Sequence, residues 1–146
     1  MRKPWPEYFM DIAKMVATRA TCDRKHVGAV IVRDNFILST GYNGSESGDP
    51  HCDDAGHLML DGHCIRTIHA EANAIRQARS KKLALAGATI YTTASPCWHC
   101  FEAIVRNGIT KIVFGELYRD PRIHDFAKQM NIELVDMSPK DEKKDG

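Results

Sequence analysis

An α/β fold built on a mixed five-stranded sheet, with helices on both faces, is what this sequence predicts, and three observations carry the prediction. Apolar runs of strand length alternate with stretches whose apolar residues recur at helical spacing, in the order α-β-β-α-β-α-β-α-β. Strand-helix-strand units pair in parallel through right-handed crossovers, whereas the first two strands are joined by a short turn and pair antiparallel. The 146 residues, 43% of them hydrophobic, suffice for one domain with a core and are too few for two.

Each element has its own signal. Phe9, Ile12, Met15 and Val16 form an apolar stripe over residues 6–20 behind a proline suited to a first helical turn. Arg19, near the end of that helix, complements its dipole or faces a site. The run from Val27 to Val32 is apolar almost throughout, as expected of a central strand covered on both faces. Asp34-Asn35 turns the chain into a returning strand, Phe36 to Thr40, and Gly41-Tyr42-Asn43-Gly44 reads as a turn because Asn-Gly accepts positive φ. Residues 45–67 show no periodicity, and a loop that long in a small domain is functional or clamped. A helix opening at His69 buries Ala74, Ile75 and Ala78 and ends in the polar run Arg79 to Lys82. The strand from Ala88 to Thr93 leads to Ser95-Pro96-Cys97, and a helix from Cys97 closes at Asn107-Gly108. A strand at Lys111 to Gly115, a helix from Pro121 to Met130 with Ile123, Phe126, Ala127 and Met130 on one face, and a strand at Ile132 to Val135 complete the order. The domain is expected over residues 1–137. Residues 138–146 form a charged, apolar-poor tail expected to be disordered.

Charge narrows the partners. Twenty basic and 19 acidic side chains leave a formal net charge of +1, so no field suited to nucleic acid is expected, while a few placed arginines could still hold a small anion. No apolar run follows Met1 to Pro6 and no segment reaches membrane-spanning length, so the expectation is a soluble, cytoplasmic chain without membrane partners. Five cysteines cannot all pair within the chain, which makes metal the better use for them.

Two runs carry the chemistry: His69-Ala70-Glu71 and Pro96-Cys97-Trp98-His99-Cys100. His69, Cys97 and Cys100 are three zinc donors that leave a fourth position open, the arrangement of a catalytic rather than a structural site. Both runs stand where helices begin, and the partial positive charge there favours thiolate over thiol. Glu71 is a carboxylate that need not bind metal. A second, closed zinc site is expected from Cys22, Cys52, His57 and Cys64, with His63 or His51 as alternative imidazoles.

The two runs together match the H-x-E…P-C-x-x-C signature of zinc nucleobase deaminases. With Thr21-Cys22, Val27-Gly28-Ala29, Gly41-Tyr42-Asn43-Gly44-Ser45, His51-Cys52 and Cys64-Ile65-Arg66-Thr67-Ile68-His69, the chain from Glu7 to Val135 resembles the deoxycytidylate (dCMP) deaminases of the cytidine deaminase-like superfamily, similar to bacterial late-competence and phage types. The resemblance implies a three-layer α-β-α fold and zinc-dependent hydrolysis of dCMP to dUMP, which supplies dUMP for dTMP synthesis. Glu71 would be the proton carrier, with the Ser95 carbonyl on the amino group and the Ala70 N–H on the base carbonyl. By the same resemblance Asn43 contacts the sugar, which revises its reading as a plain turn residue. Arg24, Tyr118 and Arg119 are candidates for the 5′-phosphate, because arginine offers a planar fork and tyrosine a further donor. The family also implies a homo-oligomer, a hexamer foremost, with Gly41, Tyr42 and Gly44 at an effector site for dCTP as activator and dTTP as inhibitor. Two other readings share the zinc core: another nucleobase deaminase, such as one acting on tRNA adenosine, and a zinc-binding interaction module without activity. A structural module has no need of Glu71 beside an open zinc position.

Overall fold

A computed structural model describes residues 2–20, 26–45, 59–60, 63–64, 67–115 and 121–138. Its helices are α1 (Trp5–Ala17), α2 (Ala70–Ser80), α3 (Trp98–Arg106) and α4 (Pro121–Gln129). Its strands are β1 (Gly28–Arg33), β2 (Phe36–Tyr42), β3 (Gly44–Ser45), β4 (Met59–Leu60), β5 (His63–Cys64), β6 (Thr67–Ile68), β7 (Thr89–Thr92), β8 (Lys111–Phe114) and β9 (Glu133–Asp136). Five strands form the central sheet in the order β2-β1-β7-β8-β9. β1 is antiparallel to both neighbours, and β7, β8 and β9 run parallel, so β1 alone opposes the common direction.

The topology decides where the helices lie. From β2 to β7, β8 and β9 the chain steps the same way along the sheet, so crossovers of one hand place α2, α3 and α4 on one face. That face holds the larger core, in which Ala74, Ile75, Phe101, Ile104 and Ile123 pack on Ala29, Ile31, Ile90 and Ile112. The other face carries α1, with Phe9, Met10 and Ala13 against Val30, Val32, Tyr91 and Val113. Each fully buried Ile or Phe contributes about 1.5–3 kcal/mol, an upper figure because an unfolded chain already hides some surface. Alternation along β1 sends Ala29 and Ile31 to one core and Val30 and Val32 to the other, which is why its sequence is apolar throughout.

Four expectations are corrected. Met15 does not join the buried stripe of α1 but is 69% exposed, and the buried face is Phe9, Met10, Ala13 and Ala17. The small residues win because α1 lies close to β1: a Cβ on Gly28 would stand 2.0 Å from the Ala13 carbonyl oxygen and 2.6 Å from the Ala17 nitrogen. On α4, Ile123 and Ala127 are buried, whereas Phe126 and Met130 lie toward solvent at 38% and 49% exposure; Phe126 packs its edge on Trp98 and Phe101 instead. Gly41-Tyr42-Asn43-Gly44 is not a positive-φ turn, since β2 continues through Tyr42 and β3 begins at Gly44. Residues 45–67 are not wholly without regular structure: β3 pairs with β6 and β4 with β5 as two small antiparallel ribbons.

Candidate metal centre and active site

His69 and Cys97 are the residues immediately before α2 and α3, both extended (φ −69°, ψ 153° and φ −73°, ψ 172°) and neither capping its helix with its side chain. β2, followed through the β3 and β6 ribbon, and β7 end on the same edge of the sheet. The helices that follow therefore start side by side. Cys100 lies in the first turn of α3 and faces inward, 5% exposed. The imidazole Nδ1 of His69 is 3.2 Å from the Cys100 sulfur and 3.5 Å from that of Cys97. The ligating atoms of these three residues all lie within 4.8 Å of one another, the one such cluster of metal-binding groups among the described residues.

The donor set fits zinc. With ordinary zinc–sulfur and zinc–nitrogen bond lengths, a tetrahedral ion sets its nitrogen and sulfur ligands about 3.5 Å apart. Two thiol groups and one imidazole at such separations fill three corners and leave the fourth open. The Cys100 thiol donates to Cys97 and, with help from His69, holds the Cys97 thiol down to about 3 despite its burial. That same bond, with burial, pushes Cys100 up. The bond to Cys97 raises His69 above an ordinary imidazole. Glu71, in the first turn of α2, is 4% exposed, and burial pushes its carboxyl up to about 7, so it can carry a proton near neutral pH.

Polar contacts and close packing seat these helix starts. The Asn43 carboxamide oxygen accepts a 2.8 Å bond from the Val27 N–H, and the Asn43 N–H donates to the Val27 carbonyl. Asn43 is 7% exposed, so it holds the ends of β1 and β2 together whatever else it contacts. Gly44 pairs with Ile68, which places this stretch beside the approach to His69. Gly41 lies beneath the first turns of α2, where a Cβ would stand 2.4 Å from both the Ala70 oxygen and the Ala74 nitrogen. Asn73 donates its side-chain N–H to the Tyr42 carbonyl at 2.7 Å, and the buried Ser39 hydroxyl donates to the Ala74 carbonyl. Asn73 was not among the sequence candidates. Its signal is a residue of poor helix propensity inside a helix, which asks for a reason in tertiary structure. The loop carrying Cys97 is braced by the Thr92 hydroxyl on the Ala94 carbonyl and by the Gly28 N–H on the Thr93 hydroxyl.

Of the residues singled out in the sequence, the structure brings together His69, Glu71, Cys97 and Cys100. It sets Ala70, fully buried, at the start of α2 and Ser95, half-buried, in the loop before Cys97. Gly41 and Tyr42 end β2, and Asn43 and Gly44 follow. Cys64 and His63 form β5, whose side chains lie outside the described residues, as do Cys22, Arg24, His51, Cys52, His57, Tyr118 and Arg119.

Comparison with known proteins agrees with this geometry. Residues 3–116 match the family described as the cytidine and deoxycytidylate deaminase zinc-binding region. ComE operon protein 2 of Bacillus subtilis is 44% identical over 129 residues, 88% of this chain and 67% of that protein. The deoxycytidylate deaminase of Mycobacterium phage D29 is 35% identical over 125 residues, 77% of this chain and 95% of the phage protein. The dCMP deaminase of cyanophage S-TIM5, solved in complex with dCMP and dUMP, superimposes with a TM-score of 0.80 at 28% identity, covering 94% of this chain and 99% of that one. From the three clustered donors, the buried carboxylate beside them and these relatives, the chain belongs to the cytidine and deoxycytidylate deaminase family.

Proposed function

We propose that this chain hydrolyses dCMP to dUMP and ammonia. The observation that carries the reading is the buried Glu71, its carboxyl pushed up to about 7, beside a three-donor set with room for a fourth ligand. The names of the phage relatives supply the nucleotide.

His69, Cys97 and Cys100 would hold a zinc ion, which would supply a lowered pKa for a bound water. Two thiolates donate charge and weaken that effect relative to three imidazoles, so a protein base must help. Glu71 takes a proton from the attacking water and delivers it to N3 of the pyrimidine, which makes C4 electrophilic. The water oxygen bonds to C4. Glu71 then carries the second water proton to the amino nitrogen, the C4–N bond breaks, and ammonia leaves with the oxygen retained as the new carbonyl. Burial keeps Glu71 near neutral proton affinity, so it can accept and release in one cycle. The first N–H groups of α2 have no partner within the helix, and that of Ala70 holds the base carbonyl while the Ser95 carbonyl accepts from the amino group. Asn43 meets the sugar, and Arg24, Tyr118 and Arg119 hold the 5′-phosphate.

The same reading extends to a second, structural zinc on Cys22, Cys52, His57 and Cys64, to a cytoplasmic homohexamer, and to regulation by dCTP and dTTP around Gly41, Tyr42 and Gly44. No helix among the described residues is long and apolar enough to cross a membrane. The test is ammonia release from dCMP, dCTP, cytidine and a tRNA anticodon stem, with and without dCTP and dTTP, together with zinc per chain. Turnover of dCMP and two zinc ions are expected; turnover of the RNA alone would overturn the substrate, and one zinc would remove the second site. Glu71→Gln is expected to keep its catalytic zinc and lose at least about 10²–10⁴-fold in turnover, the usual share of a positioned acid-base group.

A further inference from the structure

Between α2 and α3 runs an open cleft of ≈ 710 Å³ that extends from Ala72, in the first turn of α2, to the C-terminal ends of both helices. Ala72, Ile75 and Ala103 line it together with Arg76, Arg79, Arg106, Ser80 and Asn107. The alanines explain the hollow, because larger side chains there would interdigitate and fill the space between the helices. Three arginines line the cleft, and among the described residues that line it none is acidic. We infer that this cleft is a binding site for a multiply charged oxyanion of the phosphate class.

Helix dipoles explain part of the charge. Arg79 and Arg106 stand in the last turns of α2 and α3, where cations complement the carbonyl ends. That does not account for the hollow. Arg79 is also held in place: its Nη1 donates to the Asn107 oxygen across the cleft at 3.4 Å, and the Asn107 amide N–H donates to the Ala103 carbonyl at 2.7 Å, which orients the oxygen toward Arg79. An arginine drawn across the gap from α2 to α3 presents a planar fork suited to bidentate contact with phosphate oxygens. A second copy docked face to face here would bring two sets of three arginines together, which favours an anion as the occupant.

The experiment is calorimetric titration of the zinc-loaded full chain with tripolyphosphate at constant ionic strength, with sodium chloride as the control. The site predicts saturable binding that the Arg79→Gln/Arg106→Gln variant weakens at least ten-fold. Ala103→Met, which keeps every charge and fills the hollow, is expected to weaken it as well. Lys111→Gln, which removes a cation paired with Glu133 elsewhere, is expected to leave it unchanged. Circular dichroism and zinc content identify any variant that has failed to fold, and Arg79→Lys then replaces it, with the loss of the fork expected to weaken binding. Binding equal in all variants, heat explained by ionic strength alone, or a concentration-dependent dimer abolished by the arginine changes would each overturn the proposal.

Discussion

The two ends of α2 and α3 differ in every property that matters to chemistry. At their starts the helices bring together a half-buried imidazole and thiol, a buried thiol and a buried carboxyl, where free N–H groups and the positive ends of two dipoles support thiolate. Toward their far ends an open cleft lies between them, and the charges there are arginines. Crossovers of one hand make the two helices run the same way, so donors placed at both starts must meet. The same topology gathers the C-terminal charges of both helices at the opposite end. Position along a helix, as much as residue type, therefore sets what each end can do.

Breaking the convergent end should have the largest effect. Cys97→Ala removes one of three donors, and zinc analysis of the purified variant is expected to show the catalytic equivalent gone and dCMP turnover at background. Full zinc retention would mean that the donors are other than these three. Removal of the metal with a chelator should likewise abolish turnover, with activity returning on addition of zinc.

A smaller effect is expected from loosening the support beneath that end. Gly41→Ala would put a Cβ 2.4 Å from backbone atoms of Ala70 and Ala74, so α2 must shift away from β2. Overpacking of this kind costs about 1–3 kcal/mol, and it should lower the thermal midpoint and loosen zinc binding together. An unchanged midpoint would show that α2 is not seated as described.

Asn43 sharpens the comparison most finely, because fold and substrate both claim it. Asn43→Ala leaves the Val27 N–H without its acceptor and is expected to cost about 1–3 kcal/mol in chemical denaturation. Asn43→Asp keeps an acceptor there. If Asn43 also meets the sugar, the aspartate variant should keep most of the stability yet raise KM for dCMP; wild-type kinetics would confine the residue to the fold.

Much of this was legible before the structure. Periodicity placed the helices and the central strands, since a helix of period 3.6 and a strand of period 2 leave different marks on an amphipathic sequence. Cys97 and Cys100 alone would fit a redox pair or a structural knuckle as well; the metal was named by the combination of Pro96-Cys97-Trp98-His99-Cys100 with His69-Ala70-Glu71, which matches one signature. Which apolar residues are buried was less legible. Met15, Phe126 and Met130 carry the right hydrophobicity, but the small residues of α1 against Gly28 and the aromatic edge contacts of Phe126 decide which side faces inward. The roles of Gly41 and Asn73 were hidden for a similar reason, as each answers to a partner about thirty residues away.

By itself, then, the sequence determined the layer order and singled out His69, Cys97 and Cys100 as candidate donors and Glu71 as a candidate proton carrier, because these depend on residue type and local period. Only the tertiary structure decided that His69 meets Cys97 and Cys100 with Glu71 sealed beside them, that Asn43 ties β1 to the end of β2, and that three arginines share one cleft. Such neighbourhoods arise from the common direction of β2 and β7 and the hand of their crossovers, which no local stretch of sequence carries.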